Sequence, residues 1–562
     1  MFKKGNLKER FNAKSWAIGA VLGTTLGLAY VGFDSASPIS NDDLRKYDTQ
    51  DFITTPVPQK APAHILDNYS AASNGFAKIK GLTQDELNML SAEHHARIVT
   101  TAQIAEDNHY YVRSFDEIID GYNLIDLAKK MNPDKDYSRL DIKQLVEKNV
   151  NDMLEKLDYR SYYIKHETAK RWDQEDNNNG YAFGFLYLPH DDGIIIDVLY
   201  DGPAKAAGLQ AGDVITHING LELKSLGNNF LTQVIRNAKL SDTATLFEGI
   251  THADGQPFSI QTKAGEVKTT PVRASMIGGE TLLLKLDGFT HGSHVLFREA
   301  FEDAAAQYGD QMKNIVIDLR GNGGGFVYAV NQMLDDFTDG DELGSVRERL
   351  SPSAFLARFF MDIEGDHLID KIPSHKGQVT DLPINILIDS NSASASEIFA
   401  GNMQDVGRAK VIGKTASYGK ATMQAPYQLD IAENDKPRVL ITVGAIFLPK
   451  SGSYQGIGIQ PDILVQPHVP LDMSKLYFEK DNPNILKNPS NNVAKPSPYT
   501  CQMTMDDKGQ LREIWVDHVD VSNAYKKYIN LAADEDLLCA IEDFKTTKDY
   551  AIIAPNTPKP QS

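Results

Sequence analysis

The chain of 562 residues contains little cysteine and fewer basic than acidic residues. Its two cysteines, Cys501 and Cys539, lie near the C-terminus, and no CxxC or other metal-type spacing occurs. Lysine and arginine total 57 against 76 acidic residues, which gives a formal net charge of -19. This balance argues against a nucleic-acid partner. The length exceeds what one hydrophobic core can use, so several domains are expected.

Motifs for nucleotide and metal chemistry are also missing. GNGGGF at 321–326 breaks the dinucleotide-binding pattern, because Phe326 takes the sixth place. The stretch from Gly407 to Gly413 has one residue too many before Lys414 for a phosphate-binding loop. There is no HExxH zinc motif. The sequence therefore predicts neither a metal nor a cofactor.

The N-terminus carries an export pattern. Basic residues at 3, 4, 8, 10 and 14 precede the apolar run SWAIGAVLGTTLGLAYVGF at 15–33, which is typical of a secretory signal and about long enough to span a bilayer. Residues 1–33 are interpreted as a signal peptide or a membrane anchor, and the polar stretch 34–75 as a flexible spacer. Export places Cys501 and Cys539 in an oxidising compartment, where we expect them to form a disulfide.

The next segment, 76–175, predicts a helical N-terminal domain. DELNMLSAEHHARIV and IKQLVEKNVNDMLEKL place apolar residues at three- and four-residue intervals, as amphipathic helices do. The adjacent His94 and His95 would point about 100° apart on a helix. We interpret them as part of a solvated face rather than as a metal site.

Residues 176–268 switch to short strands and turns, and they resemble a PDZ domain. Ala182, Phe183, Gly184 and Phe185 match the hydrophobic–Gly–hydrophobic loop of that family, and GPAKAAGLQAGDVITHING follows in the expected order. Such a loop offers backbone N–H groups to a terminal carboxylate, and the sheet edge takes the peptide as an added strand. The resemblance implies that these four residues bind free C-termini.

The block 269–468 contains two strand–turn units that suit acyl transfer. NIVIDLR runs into GNGGG at 321–325, and INILID runs into SNSASASE, which a helical segment follows. A hydroxyl at a helix N-terminus lies where the helix dipole stabilises developing negative charge. Serines 390, 392, 394 and 396 compete for this role. Ser394 and Glu397 also fit a capping box, which would serve the helix alone.

SASASEIFAGNMQDVGRAKVIGKTASYGKATMQ at 392–424 resembles the signature of the carboxyl-terminal processing (tail-specific) proteases, and the resemblance extends over about 140–465. It implies that Ser394 is the nucleophile, Lys420 the general base and Gln424 the residue that orients the lysine. It also implies backbone oxyanion donors at Ala395 and Gly324, and an α/β core of the crotonase or ClpP-like type. A base lysine requires that burial disfavours its charged form.

The sequence departs from the family pattern near the lysine and before the PDZ domain. Ala421 replaces the usual glycine, TASYGK is one residue longer than is common, and Lys414 is the rival base. LDYRSYY at 157–163 replaces a family LDPHSxY, which we interpret as a change in the hinge into the PDZ domain.

Together these observations predict a multidomain α/β protein, in which the protease core at 269–468 is followed by an extra C-terminal module at 469–562. The expected function is a serine endopeptidase that processes or degrades bacterial envelope proteins and recruits their free C-termini. The alternative is a non-catalytic peptide-binding adaptor on the same fold. The expected location is the periplasm, with an inner-membrane anchor if 15–33 is retained, and an envelope adaptor protein is a conceivable further partner.

Overall fold

The computed structural model describes residues between Thr83 and Lys545. Within that span it omits 112–113, 120–130, 132–135, 171–178, 191, 225–233, 236–237, 239–243, 269, 350–362, 365–366, 469, 472, 474–475, 491–496, 503–515, 519–525 and 528–533. The predicted signal or anchor at 1–33 and the spacer at 34–75 lie outside the described residues. No described helix combines the length and the apolar character needed to cross a membrane.

The N-terminal region is helical, as predicted. Its elements are α1 (Gln84–Glu93), a π-helical segment (His94–Val99), α2 (Thr100–Asn108), α3 (Phe115–Ile119) and α4 (Arg139–Leu157). Capping boxes start two of these helices, with Thr83 before α1 and Ser138 before α4.

This helical region packs onto the protease core. Val146 and Val150 of α4 share one hydrophobic cluster with Val439 and Ile441 of the core. The prediction of a solvated face is wrong for His94, which is 6% exposed. The spacing from Leu90 is the physical reason, because residues four apart lie on the same face of a helix and Leu90 is fully buried.

The PDZ region is a small sheet domain. Its elements are β2 (Asn179–Ala182), β3 (Phe185–His190), β4 (Gly193–Leu199), α5 (Pro203–Ala206), β5 (Val214–Ile218), β6 (Leu221–Glu222), β7 (Thr245–Ile250), β8 (Pro257–Thr262) and β9 (Gly265–Lys268). Antiparallel pairing joins β3 to β4, β4 to β5, β5 to β7 and β7 to β8. Phe183, Ile196 and Phe247 lie in its core.

The protease core contains an eight-stranded sheet. Its strands are β10 (Val272–Ile277), β11 (Thr281–Leu286), β12 (Asn314–Asp318), β16 (Ile384–Leu387), β17 (Ala409–Gly413), β20 (Ile463–Val465), β21 (Tyr499–Cys501) and β22 (Val516–His518). They lie in the order β21-β20-β17-β16-β12-β11-β10-β22, and the pairs from β11 to β21 are parallel. Helices α6 (Ser293–Tyr308), α7 (Val327–Phe337) and α8 (Ala395–Val406) contribute to one core cluster with this sheet, and α9 (Glu535–Lys545) packs on its other face.

A second sheet lies between this core and the N-terminal helices. It consists of β1 (Tyr162–Ile164), β13 (Ser345–Arg349), β14 (Ile363–Glu364), β15 (His367–Lys371), β18 (Thr422–Gln428) and β19 (Arg438–Phe447). The long strand β19 pairs with β1, β13 and β18. The predicted multidomain α/β class is confirmed.

The C-terminal region completes the core. Cys501 on β21 and Cys539 on α9 form a disulfide across 38 residues, and a loop of that size contributes about 3–4 kcal/mol. Asn385 Nδ2 donates to the Ala540 carbonyl oxygen at 2.9 Å. Arg320, which precedes the glycine turn, bonds to Asp534 at 2.6 Å. The segment beyond 469 therefore packs as part of the core that contains the eight-stranded sheet.

Candidate active site

The two predicted turns lie side by side. β12 and β16 are neighbouring parallel strands, so the glycine turn after β12 and the serine turn after β16 emerge at the same edge of the sheet. Asn322 ties them together, because its carbonyl oxygen accepts from Ala393 N at 3.0 Å and from Ser396 Oγ at 2.9 Å. The edge thus has the strand–turn–helix geometry that acyl transfer needs.

The structure distinguishes the four competing serines. Ser390, Ser392 and Ser396 are buried, whereas Ser394 is partly exposed. The hydroxyl of Ser392 donates to the Leu319 carbonyl oxygen at 2.9 Å, and that of Ser396 is also used within the fold. Ser394 makes no side-chain cap hydrogen bond. Its hydroxyl is the one that combines access with freedom from a structural contact.

Ser394 also has a strained backbone. Its φ is +55°, and the other two described non-glycine residues with positive φ are both asparagine, a type that tolerates this region better. Strain of this kind persists where the surroundings enforce it, and it occurs at functional sites. Here the Ser394 N–H donates to Glu397 Oε2 at 2.9 Å, while its carbonyl accepts from Glu397 N and Ile398 N.

The predicted oxyanion donors adjoin this serine. A Cβ at Gly324, where φ is +104°, would lie 2.7 Å from Ser394 Cβ and 3.0 Å from Ala395 N, so only glycine fits. The Ala395 N–H is the first of α8 and has no helical acceptor. The Gly324 N–H donates to Asn322 Oδ1 at 2.9 Å. The Ala395 N–H is therefore without an acceptor among the described residues, whereas the Gly324 N–H already donates to Asn322.

Glu397 connects the serine turn to the lysine loop, which comprises residues 418–421. Its buried carboxylate accepts from Ser394 N, from Ser417 Oγ, from Gly419 N at 2.6 Å and from Lys420 N at 2.8 Å. Burial raises the pKa of Glu397 to about 7, and these hydrogen bonds act in the opposite direction. The sequence analysis treated this residue as a helix cap, yet it also holds the two halves of the site together.

Lys420 has the electrostatic character of a base. Burial lowers its pKa to about 8, and the charge of Arg160 acts in the same direction. Its Nζ donates to the Thr422 carbonyl oxygen at 3.0 Å. The rival Lys414 instead forms an ion pair with Glu535 at 2.9 Å. The structure thus separates the two lysines by environment.

Gln424 lies one contact away from the lysine. Its Nε2 donates to Thr422 Oγ1 at 3.0 Å and to Thr442 Oγ1 at 3.2 Å. Thr442 in turn donates to Asp158 at 3.0 Å, and Asp158 pairs with the buried His109 at 2.9 Å. Gln424 therefore reaches Lys420 through Thr422, and the sequence analysis missed the polar chain behind it.

The PDZ loop has a structural demand for its glycine. Phe183 is buried against Phe247, with ring centroids 4.9 Å apart, and Ala182 ends β2 while Phe185 begins β3. A Cβ at Gly184, where φ is +94°, would lie 3.2 Å from Gly202 Cα. The glycine thus permits close packing within the domain itself, a reason that the sequence analysis did not foresee.

Arg160 is the residue whose role the sequence placed elsewhere. Its Nη2 donates to Tyr418 Oη at 3.0 Å, and its guanidinium pairs with Glu479. The LDYRSYY segment therefore brings a cation to the lysine loop, in addition to any effect on the hinge. Its departure from the family pattern was the available signal, but the partner Glu479 lies 319 residues away.

Two family models match the chain. The model of peptidase family S41 matches residues 280–465, and the PDZ domain model matches 174–245. A carboxy-terminal-processing protease of Bartonella bacilliformis is 31% identical over 337 residues, which cover 59% of this chain and 71% of that protein. The carboxy-terminal processing protease CtpB of Bacillus subtilis is 26% identical over 378 residues, which cover 66% and 71%. The solved photosystem II D1 C-terminal processing protease aligns at 17% identity and a TM-score of 0.41, covering 70% of this chain and 97% of that one.

These observations define a serine peptidase that carries a PDZ domain. The chain belongs to the carboxy-terminal-processing protease family, within peptidase family S41.

Proposed function

We propose that the chain is an envelope endopeptidase in which Ser394 attacks the peptide carbonyl and Lys420 acts as general base. The observation that carries this proposal is the state of the serine turn. Of its four serines, Ser394 alone is both accessible and free of a structural hydroxyl contact, and it sits at the start of α8 against Gly324.

In the proposed reaction, neutral Lys420 takes the Ser394 proton as Oγ bonds to the carbonyl carbon. The electron pair of the carbonyl moves to its oxygen, which the Ala395 N–H stabilises. Gly324 becomes the second donor once its N–H leaves Asn322. The protonated lysine then gives its proton to the leaving amine as the C–N bond breaks, which leaves the acyl group as an ester on Ser394 Oγ. Lys420, now neutral again, takes a proton from water as the water attacks this ester and releases the acid and the serine. For the first step Lys420 Nζ must leave the Thr422 carbonyl oxygen and reach Ser394 Oγ.

A fluorophosphonate probe tests this assignment. We expect one adduct, on the Ser394 peptide, because the probe reacts with activated serine hydroxyls. Labelling should be faster at pH 9 than at pH 7, since a larger share of Lys420 is then neutral. Mass spectrometry after digestion gives the site. An adduct on Ser392, or equal labelling of a Lys420→Met variant, would contradict the proposal.

We place this enzyme on the outer side of the cytoplasmic membrane, in the periplasm. The basic and apolar N-terminal pattern supports export, and the Cys501–Cys539 disulfide fits an oxidising compartment. Residues 15–33 act as an inner-membrane anchor if they are not cleaved. N-terminal sequencing of the protein from membrane and periplasmic fractions distinguishes these two outcomes.

The PDZ domain is proposed to recruit substrate C-termini through the Ala182–Phe185 loop. Amidation of a substrate's C-terminus should raise KM by about tenfold or more, because a hydrogen bond to a charged group contributes about 1.5–3 kcal/mol. Matched peptides that share a scissile sequence and differ only in the terminal group provide the measurement. Equal KM values for the acid and the amide would remove carboxylate recognition. Gly184→Val is not a clean control, since it would also strain the domain's own packing.

A further inference from the structure

We propose that Arg160 and Glu479 are positioning residues for Lys420, an ion pair that fixes the lysine loop and balances the charge beside the lysine. This inference rests on the proposed function of Lys420. The lysine loop comprises residues 418–421.

The Arg160–Glu479 ion pair is largely shielded from water. Arg160 Nε donates to Glu479 Oε2 at 3.1 Å, and Nη2 makes a second contact with the same carboxylate. The Glu479 side chain is 1% exposed and that of Arg160 is 24% exposed. A charge pair so shielded keeps much of its electrostatic strength.

The pair holds the lysine loop on the near side of Lys420 through Tyr418. Arg160 Nη2 donates to Tyr418 Oη at 3.0 Å, and the Glu479 N–H donates to the Tyr418 carbonyl oxygen at 2.9 Å. Asn482, in the same segment as Glu479, also donates to Tyr418 Oη at 2.8 Å.

On the C-terminal side of Lys420, Gln455 connects Glu479 to the lysine loop. Its Nε2 donates to Glu479 Oε1 at 3.2 Å, and its Oε1 accepts from Ala421 N at 2.8 Å. The two backbone neighbours that bracket Gly419 and Lys420 are therefore both tied to Glu479. This arrangement restricts the position of the Lys420 backbone, and therefore of the Lys420 Cα from which the side chain extends.

The charges that face Lys420 come from four residues. Arg160 disfavours the ammonium, whereas Glu479, Glu397 and Asp158 favour it, and burial is the largest influence on its pKa. Tyr418 is neutral at physiological pH, because burial raises its pKa above the ordinary value. Arg160 and Glu479 thus act on the pKa of the lysine with opposite signs.

An ion pair that only stabilises the fold would behave differently. Removal of either partner would then lower stability and activity together, without moving the pH at which the base loses its proton. A role in tuning Lys420 predicts opposite displacements for the two partners. The sign of the displacement is therefore the decisive readout.

The test measures kcat/KM against pH for the full-length wild type, Arg160→Met, Glu479→Gln and the double variant. In Glu479→Gln the Arg160 charge is uncompensated and lowers the pKa of Lys420, so the rising limb of the kcat/KM profile should move to lower pH. In Arg160→Met the pKa of Lys420 should increase, so the rising limb should move to higher pH. The profile of the double variant should lie near that of the wild type. A displacement of half a pH unit changes the neutral fraction of the lysine below its pKa about threefold.

Two further variants separate charge from geometry. Arg160→Lys keeps the charge and loses the planar fork, so it should lower kcat without displacing the limb. Tyr418→Phe removes the two hydrogen bonds that Tyr418 Oη accepts, from Arg160 and from Asn482, and removes no charge, so it should also leave the limb in place. Lys414→Met, at an ion pair elsewhere in the core, is the matched control for loss of a lysine. Circular dichroism and thermal melts confirm that each variant is folded, and a variant that does not fold is replaced in the comparison by Arg160→Gln or Glu479→Met, which also remove the charge.

The outcomes separate this inference from the proposed function. Displacements of the same sign, or an unmoved limb in folded and labelled variants, would overturn the positioning role while Ser394 labelling stands. If Lys420→Met retains normal Ser394 labelling, the base assignment itself fails. Opposite displacements with restoration in the double variant support the inference.

Discussion

Ser394→Ala is expected to reduce peptide cleavage by about 10³-fold or more, as loss of a catalytic serine does in other serine proteases. The hydroxyl supplies the bond to the substrate carbonyl, and no neighbouring serine is placed to replace it, since Ser392 and Ser396 are fully buried. Stability should change by less than about 1 kcal/mol, because Ser394 makes no side-chain cap bond that the variant would lose. Cleavage of a peptide substrate and a denaturant melt measure the two effects.

Ser392→Ala is the matched control. Its hydroxyl donates to the Leu319 carbonyl oxygen and to Asp389, so the variant should lose about 1 kcal/mol of stability and keep catalysis. A variant pair in which Ser392→Ala is inactive and Ser394→Ala is active would move the nucleophile.

Lys420→Met should be as inactive as Ser394→Ala and, at neutral pH, more stable than the wild type. The pKa of Lys420 in the folded protein, about 8, is below the ordinary lysine value of 10.5. Between these values the unfolded chain binds more protons than the folded one, so wild-type stability rises with pH across that window and is lowest below it. Methionine removes this penalty, which a pKa difference of that size puts on the order of 3 kcal/mol.

Urea unfolding at pH 7 and at pH 10 tests the stability half of this expectation. The gap between Lys420→Met and the wild type should narrow as pH rises. The activity half uses Lys414→Met, which should retain most of its rate because Lys414 is bound to Glu535 rather than to the serine turn. In the wild type, kcat/KM should rise through about pH 8. An inactive Lys414→Met beside an active Lys420→Met would exchange the two assignments.

What the sequence predicted well is local. The strand, turn and helix around Ser394 follow from hydrophobic runs and small residues within about twenty positions, and the PDZ loop is similarly compact. The position of Ser394 among four serines could be inferred only by resemblance. In the structure, burial and hydroxyl hydrogen bonds distinguish the four serines. The hydrogen bonds of Ser392 and Ser396 are made to Leu319 and Asn322, which follow the neighbouring strand β12.

What the sequence could not predict depends on distant segments. Glu397 fits a local capping box, yet three of its four donors come from residues 417–420, across the site. The pairing of Arg160 with Glu479 joins segments at opposite ends of the protease region. The burial of His94 could have been predicted, because it lies four residues from both Leu90 and Ile98 and so shares their buried helical face.

The helix that packs on the rear of the catalytic sheet has a consequence for biogenesis. Residues Glu535–Lys545 follow every other described element in the chain, yet Leu537, Leu538 and Ile541 share a cluster with Val316 and Leu387 of the two strands that lead into the active-site turns. A ribosome delivers these residues after the rest of the sheet. We therefore expect the two strands that lead into the active-site turns to lack their covering helix until the chain up to Lys545 has been made.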